Sequence, residues 1–180
     1  NRYERILLGG AMFWWFGEGL LGPLFAIFAG EIGGDLLDIT WAWAIFLLVT
    51  GTLEIFVGRL ADKIGHERLM VAGFALNACF TFCYLFIDSV TGLFLVQAGL
   101  GVALALADPT WDALYAKHEN PRQAGYTWGM QHGIETIITG IAVIIGGLIL
   151  TRFSFDTLFI IMGILQTMGT VYQARILYLK

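Results

Sequence analysis

Residues 40–87 read TWAWAIFLLVTGTLEIFVGRLADKIGHERLMVAGFALNACFTFCYLFI, two long apolar runs on either side of a charged break at Ala61–Arg68. Each run is about twice the 9 to 11 residues of a membrane β-strand, shows no polar alternation, and matches the roughly 20 residues that an α-helix needs to cross a bilayer core. Working outward, the pattern repeats. Six spans are predicted at about 6–30, 40–61, 69–87, 91–116, 125–150 and 155–176, separated by breaks at Gly33, Gly34, Asp35 and Asp38, at Ala61–Arg68, Asp88–Thr91, Lys117–Arg122 and Thr151–Asp156. The expected fold is all-α: one six-helix transmembrane domain over residues 1–180, with the lipid bilayer as its solvent. Composition agrees, since 58% of the 180 residues are hydrophobic and 13% charged, where soluble domains carry about 25% charge. Six crossings consume roughly 120 residues, so no second, soluble domain fits.

Other classes fall away on charge and motif. A net charge of −4 speaks against nucleic acid as a partner, which needs clustered Lys and Arg. Cys79 and Cys83 sit one helical turn apart in an apolar run and read as packed thiols, not as a disulfide framework. No Gly-x-Ser-x-Gly or His-Glu-x-x-His motif occurs, so an enzyme is not expected and no cofactor is required. A cleavable signal peptide is not expected, because the first apolar stretch is too long and more follow it. Asn1 stands where a natural start would carry Met, leaving the true start open.

Cation placement predicts orientation, because Lys and Arg are retained on the cytoplasmic side. Arg2, Arg5, Arg59, Lys63, Arg68, Lys117, Arg122, Arg175 and Lys180 fall on the side of the termini, and Arg152 alone falls on the other. Both termini are therefore expected in the cytoplasm, in a multi-pass protein of the plasma (inner) membrane. Trp41 and Trp43 would then lie at the outer interface, or serve as simple apolar filling. Glycine is enriched to 23 residues. Gly125, Gly129, Gly133 and Gly140 share one face of the fifth span, a face expected to meet a neighbouring helix, in this chain or in a partner.

The break between the second and third spans holds Gly58, Arg59, Leu60, Ala61, Asp62, Lys63, Ile64, Gly65, His66, Glu67 and Arg68. Gly58 permits close approach at a helix end, Gly65 permits a turn, and an acid among cations can pair locally. The segment resembles the signature loop of the major facilitator superfamily, G-x-x-x-[DE]-[RK]-x-G-x-[RK]-[RK]; Glu67 is the one departure from its fixed positions. The resemblance covers the whole chain as one six-helix half, the N-terminal one, of a twelve-helix family. It implies that Asp62 contacts an opposing half and helps hold an outward-open state, with Arg59, Lys63 and Arg68 as electrostatic partners. Asn120–Gly129 is similar to the family's link from span four into span five. Gln97 stands where many proton-coupled members carry arginine, and Ala142 and Val143 stand where antiporters carry Gly-Pro, so the motifs do not support antiport.

Five acids lie away from the ends of the predicted spans, where a charged side chain costs roughly 2.5 to 3.5 kcal/mol unless a cavity, partner or proton relieves it. At 1.5 Å per residue, Glu18 lies roughly 18 Å and Glu135 roughly 15 Å from the cytoplasmic ends, while Glu54, Asp108 and Asp112 are shallower. Spans three and six carry no acid between their ends, and the resemblance implies that spans one, two, four and five border the central cavity. Trp128, Gln131, His132, Glu135 and Thr139 share one face of span five; Gln97, Gly101, Asp108, Asp112 and Tyr115 share one of span four. Two polar faces in apolar helices predict one wet crevice, with a kink at Pro109 beside Asp108.

Roles divide on that basis. Glu18 and Glu135 are the proton-coupling candidates, because leaving water favours the neutral form of a carboxyl group; His132 with Glu135 also reads as an internal hydrogen bond. Asp108, Asp112 and Glu54 read as a latch on loop cations such as Arg59 or Arg68. Asn77, Gln97 and Gln166 read as interhelical hydrogen bonders. His132, Glu135, Asp108 and Asp112 also offer oxygen and imidazole ligands for a divalent ion, although no metal site is assigned. The expected function is a secondary active transporter working by alternating access as a homodimer, moving protons and a small cationic or neutral organic solute. Trp14, Trp15, Phe25 and Trp128 are candidate crevice aromatics. Half of a longer or two-chain transporter, a divalent-metal transporter and a non-transporting membrane scaffold remain the alternatives.

Overall fold

The computed structural model describes residues 2–119 and 121–179. Asn1, Asn120 and Lys180 lie outside the described residues, so the start of the predicted link at Asn120 and the terminal cation Lys180 are not placed. Among the described residues the chain forms α1 (Arg2–Leu21), α2 (Phe25–Glu31), α3 (Leu36–Ile64), α4 (His66–Cys83), α5 (Val90–His118), α6 (Ala124–Leu150) and α7 (Phe155–Ala174), with no strand. A 3₁₀ turn at Gly22–Leu24, built on Pro23, joins α1 to α2 as a single crossing. Six segments are thus long and apolar enough to span a bilayer.

Helix ends lie where capping groups are, not where apolarity stops. Asp35 accepts from Leu37 N at 2.8 Å and Asp38 N at 2.9 Å, while Asp38 accepts from Asp35 N at 3.0 Å. This reciprocal cap starts α3 four residues before the predicted span at 40. Ser89 and Ser154 cap α5 and α7 one-sidedly, each side chain accepting a single backbone N–H, from Gly92 and Thr157. The charged break at Ala61–Arg68 proves almost entirely helical: α3 runs to Ile64 and α4 starts at His66. Only Gly65 turns the chain, with φ at +104°, a value L side chains rarely adopt. The helices run past the apolar runs at these ends.

The packing order follows from which helices touch. α1 lies against α6 and α7, α5 lies against α3 and α4, and α4 meets α7 behind them. Exchanging the first three spans for the last three maps this pattern onto itself. α3 and α6 therefore stand at the two edges, and α1 and α5 face one another across a cleft backed by α4.

Where helices meet, small residues set the distance. A Cβ on Gly73 of α4 would sit 2.6 Å from Ala107 N and 2.7 Å from Ala103 O of α5. A Cβ on Gly146 of α6 would collide with Leu20 O of α1. Gly125, Gly129, Gly133 and Gly140, by contrast, meet nothing within 4 Å, and neither do Gly51 and Gly58 of α3. The neighbour expected for the fifth-span glycine face is not a helix of this chain, and Gly58 makes no close approach within it. Leu47, Leu48, Ile55 and Phe56 on α3 and Ile137, Ile141, Ile144 and Leu148 on α6 are likewise exposed. At Pro109, α5 continues unbroken; the Thr110 hydroxyl reaches Leu106 O at 2.6 Å and Ala107 O at 2.9 Å beside the missing amide.

These contacts separate two classes of glycine. Gly73→Leu and Gly146→Leu should each lower the unfolding free energy of the purified chain by about 1–3 kcal/mol or more through overpacking, whereas Gly129→Leu should leave it nearly unchanged. Thermal unfolding in detergent measures all three. Equal losses would contradict the packing described.

Candidate functional site

Two adjoining cavities of about 290 Å³ each occupy the cleft, with Trp14 of α1 and Leu104 of α5 as common walls. The cavity nearer the termini is polar. Asp108 and Asp112 of α5 line one side, and Gln131, His132 and Glu135 of α6 line the other, over Trp14, Trp15, Phe74 and Trp111. The second is aromatic: Trp14 and Phe25, Trp43 and Phe46 of α3, and Tyr84 in the 3₁₀ turn after α4 surround Glu18, Asn77, Gln97 and Thr139. Neither cavity is lined by Lys or Arg.

The polar cavity collects like charge. Asp108 lies within electrostatic range of Asp112, Glu54 and Glu135, and Asp112 of His132 and Glu135. The buried Gln131 donates from Nε2 to Glu135 Oε2 at 3.0 Å. His132 Nδ1 lies 3.6 Å from the same oxygen, an ion-pair distance when the ring is protonated and longer than a hydrogen bond. Trp14 Nε1 and Gln131 Oε1 are buried and have no hydrogen-bond partner among the described residues. Orphaned polar atoms at a cavity wall are costly unless a solute or water meets them. Among the described residues, no three His, Cys, Asp or Glu side chains converge as a metal cage.

Glu18 is held differently. Its Oε1 accepts from Asn77 Nδ2 of α4 at 3.0 Å and from Gln166 Nε2 of α7 at 2.7 Å. One carboxyl group therefore ties α1 to both helices behind the cleft while still lining the aromatic cavity. Asn77 and Gln166 are the interhelical bonders that the sequence predicts, and their shared acceptor is Glu18.

The predicted faces are realised in part. Gln97, Asp108 and Asp112 of α5 reach the cavities, but Gly101 packs against Phe46 O of α3 and Tyr115 is fully buried. Gln131, His132, Glu135 and Thr139 of α6 line the cleft; Trp128 does not, and instead meets Tyr115 edge to face at 5.2 Å between centroids. The latch residues are not brought together within this chain. Asp62 lies 3.9 Å from His66, and among the described residues no ion pair joins Arg59, Lys63 or Arg68 to Glu54, Asp108 or Asp112. Arg59 and Lys63 instead border an apolar groove outside α3 and α5. Trp43, expected at the outer interface, packs on Phe25 and Phe46 and lines the aromatic cavity. Phe46, Phe74 and Tyr84 are cleft residues that the sequence reading missed, because apolar aromatics in apolar spans carry no signal of their own.

The Glu18 network makes a stability prediction. Glu18→Gln keeps an acceptor oxygen and should change stability by under about 1 kcal/mol, while Glu18→Leu strands two amides and should cost about 1–3 kcal/mol. Thermal unfolding of both variants checks this, and a Glu18→Leu protein as stable as the parent would refute the network.

Comparison with known proteins agrees with this architecture. The family model described as Major Facilitator Superfamily matches residues 7–179. An uncharacterized MFS-type transporter of Methanocaldococcus jannaschii is 26% identical over 155 residues, 86% of this chain and 40% of that protein. The multidrug resistance protein MdtG of Yersinia enterocolitica is 19% identical over 159 residues, covering 86% and 38%. The riboflavin transporter RibZ of Clostridioides difficile is 24% identical over 133 residues, covering 74% and 29%. The chain thus spans about two fifths or less of the length of these relatives.

Proposed function

Because the chain belongs to the major facilitator superfamily, we propose that it forms one six-helix bundle of a secondary active transporter that moves a small cationic or neutral organic solute, coupled to protons. The cleft carries this reading: a group of mutually repelling carboxylates in a cavity that, among the described residues, no Lys or Arg lines, opening beside an aromatic cavity. Such a group lowers its energy by taking up a proton or a cation. Solute and proton then compete for the same charge, which links the binding of one to the release of the other. An anionic solute would meet repulsion and neither Lys nor Arg among the described lining residues. Relatives that carry multidrug resistance and riboflavin transporter names are compatible with an aromatic, partly apolar solute.

One bundle leaves the cleft open on the side edged by α3 and α6, where the glycine faces and large apolar side chains stand uncovered. A second six-helix unit closes it, and rocking of the two units alternates access to the site. A second copy of this chain is the first reading of that unit. A distinct second half is the other, favoured by the greater length of the relatives; the mass of the purified complex separates them. Arg59, Asp62, Lys63 and Arg68, at the adjoining ends of α3 and α4, would meet that unit as its latch, with the cation-rich side in the cytoplasm of a plasma membrane.

The purified chain should bind tetraphenylphosphonium, a lipophilic cation, in preference to tetraphenylborate, and raising the proton concentration should weaken that binding. Glu135→Gln and Asp108→Asn should each reduce cation affinity about tenfold or remove its pH dependence, with Glu18→Gln as the parallel test in the aromatic cavity. Isothermal titration across pH reads the result. Preference for the anion, or cation binding that none of the three variants alters, would remove the proposal.

A further inference from the structure

Outside the cleft, a third cavity of about 550 Å³ runs between α1, α6 and α7, walled by Gly9, Met12, Phe16, Ile141, Leu165 and Tyr172. It faces away from the transport site and shares no residue with either cleft cavity. A purely apolar groove on a membrane helix bundle would need no explanation beyond loose lipid contact. This one ends in cations.

Along α1 the positions 5, 9, 12 and 16 recur at three- and four-residue steps and so share a face. Arg5 therefore stands on the groove's face at its terminal-side mouth. On the opposite wall, the Arg175 guanidinium lies 4.8 Å from the centroid of the Tyr172 ring, and Tyr172 lines the groove. The two walls are pinned together at that mouth by Gln173 Nε2 donating to Leu7 O at 3.4 Å. Arg5 and Arg175 are both exposed, and among the described residues neither has a carboxylate at ion-pair distance. Glu4 lies toward α5, where it acts on Tyr115.

Length decides what fits. Arg5 and Phe16 are separated by about 16 Å, and Arg175 and Leu165 by about 15 Å, at 1.5 Å per helical residue. That is the depth of one leaflet of a hydrocarbon core about 30 Å thick. Gly9 shapes the entrance: a Cβ there would lie 2.8 Å from Tyr172 Cε1, so any larger residue would displace the ring that carries Arg175.

We propose that the groove between α1, α6 and α7 is a specific site for an anionic phospholipid of the leaflet at the termini, its acyl chain along the apolar walls and its phosphate between Arg5 and Arg175. A basic site between helices selects headgroup charge, while an apolar leaflet-deep slot takes one chain. The site is independent of the solute assignment. It fits a lipid better than a free anion, because the arginines stand at the mouth of an apolar slot and not in a polar pocket.

Native mass spectrometry of the full chain, with phosphatidylglycerol and phosphatidylcholine of identical acyl chains offered together, tests this. Phosphatidylglycerol should be retained at least tenfold over phosphatidylcholine, and the preference should vanish in an Arg5→Gln, Arg175→Gln protein and persist in the Arg5→Lys, Arg175→Lys protein. Equal retention of the two lipids by the unaltered chain would overturn the proposal without any variant. So would a preference unchanged in the double glutamine protein, or inorganic phosphate displacing the lipid as effectively as added phosphatidylglycerol.

Discussion

Repulsion among carboxylates that share a low-dielectric cleft is the constraint on which the rest of this molecule depends. Asp108, Asp112 and Glu135 act on one another from α5 and α6, Glu54 of α3 acts on Asp108 and Asp112 from outside the cavity lining, and His132 stands among them, of opposite sign when its ring is protonated. Such an arrangement is expensive in lipid. It persists in a bundle whose helices otherwise pack through glycines and alanines at backbone contact, so the acids are held together by a scaffold that does not need them. Stability comes from Gly73 on Ala103 and Ala107, from Gly146 on Leu20, and from aromatic clusters such as Phe28, Tyr84 and Phe159. The charge is a load carried on that scaffold.

Glu18 shows the contrasting solution. It lines the same cleft as Glu135, but two amides from α4 and α7 satisfy one of its oxygens. One acid is thereby built into the wall, and the other is left facing the cleft with Gln131 and His132. The two cavities inherit this difference. One is a carboxylate-rich chamber, the other an aromatic one with a single, well-held acid, and Trp14 stands between them with its indole N–H unpaired among the described residues.

Much of the fold was legible in the sequence because the bilayer imposes a length on apolar runs. Six runs of that length appear, and the pattern from Gly58 to Arg68 resembles one family strongly enough to name it. Helix ends were less legible, since Asp35, Ser89 and Gly65 set them by hydrogen bonding and backbone geometry instead of hydropathy. Helical phase placed Asp108, Asp112, Gln131, His132 and Glu135 on facing walls correctly. It misjudged Gly101, Tyr115 and Trp128, because a face defined by three- and four-residue steps is wide enough to include positions that pack on α3 or close the bundle end. Nothing in one-dimensional spacing says that Asn77, Gln166 and Glu18, from three different spans, meet at one oxygen. Partner choice between helices depends on shape, and shape is written in the glycines only once their neighbours are known.

The uncovered edges at α3 and α6 and the open cleft between α1 and α5 belong together: a bundle that buried them alone would have no path to either side. The most direct test is side-specific labelling of Glu135→Cys, with Cys79 and Cys83 replaced by serine, in oriented vesicles using a membrane-impermeant thiol reagent. An alternating path predicts that position 135 reacts from one face of the membrane in the resting state and from the other when solute or the proton gradient is reversed. A thiol inert from both faces under every condition would show the carboxylates sealed in static contacts and contradict the account.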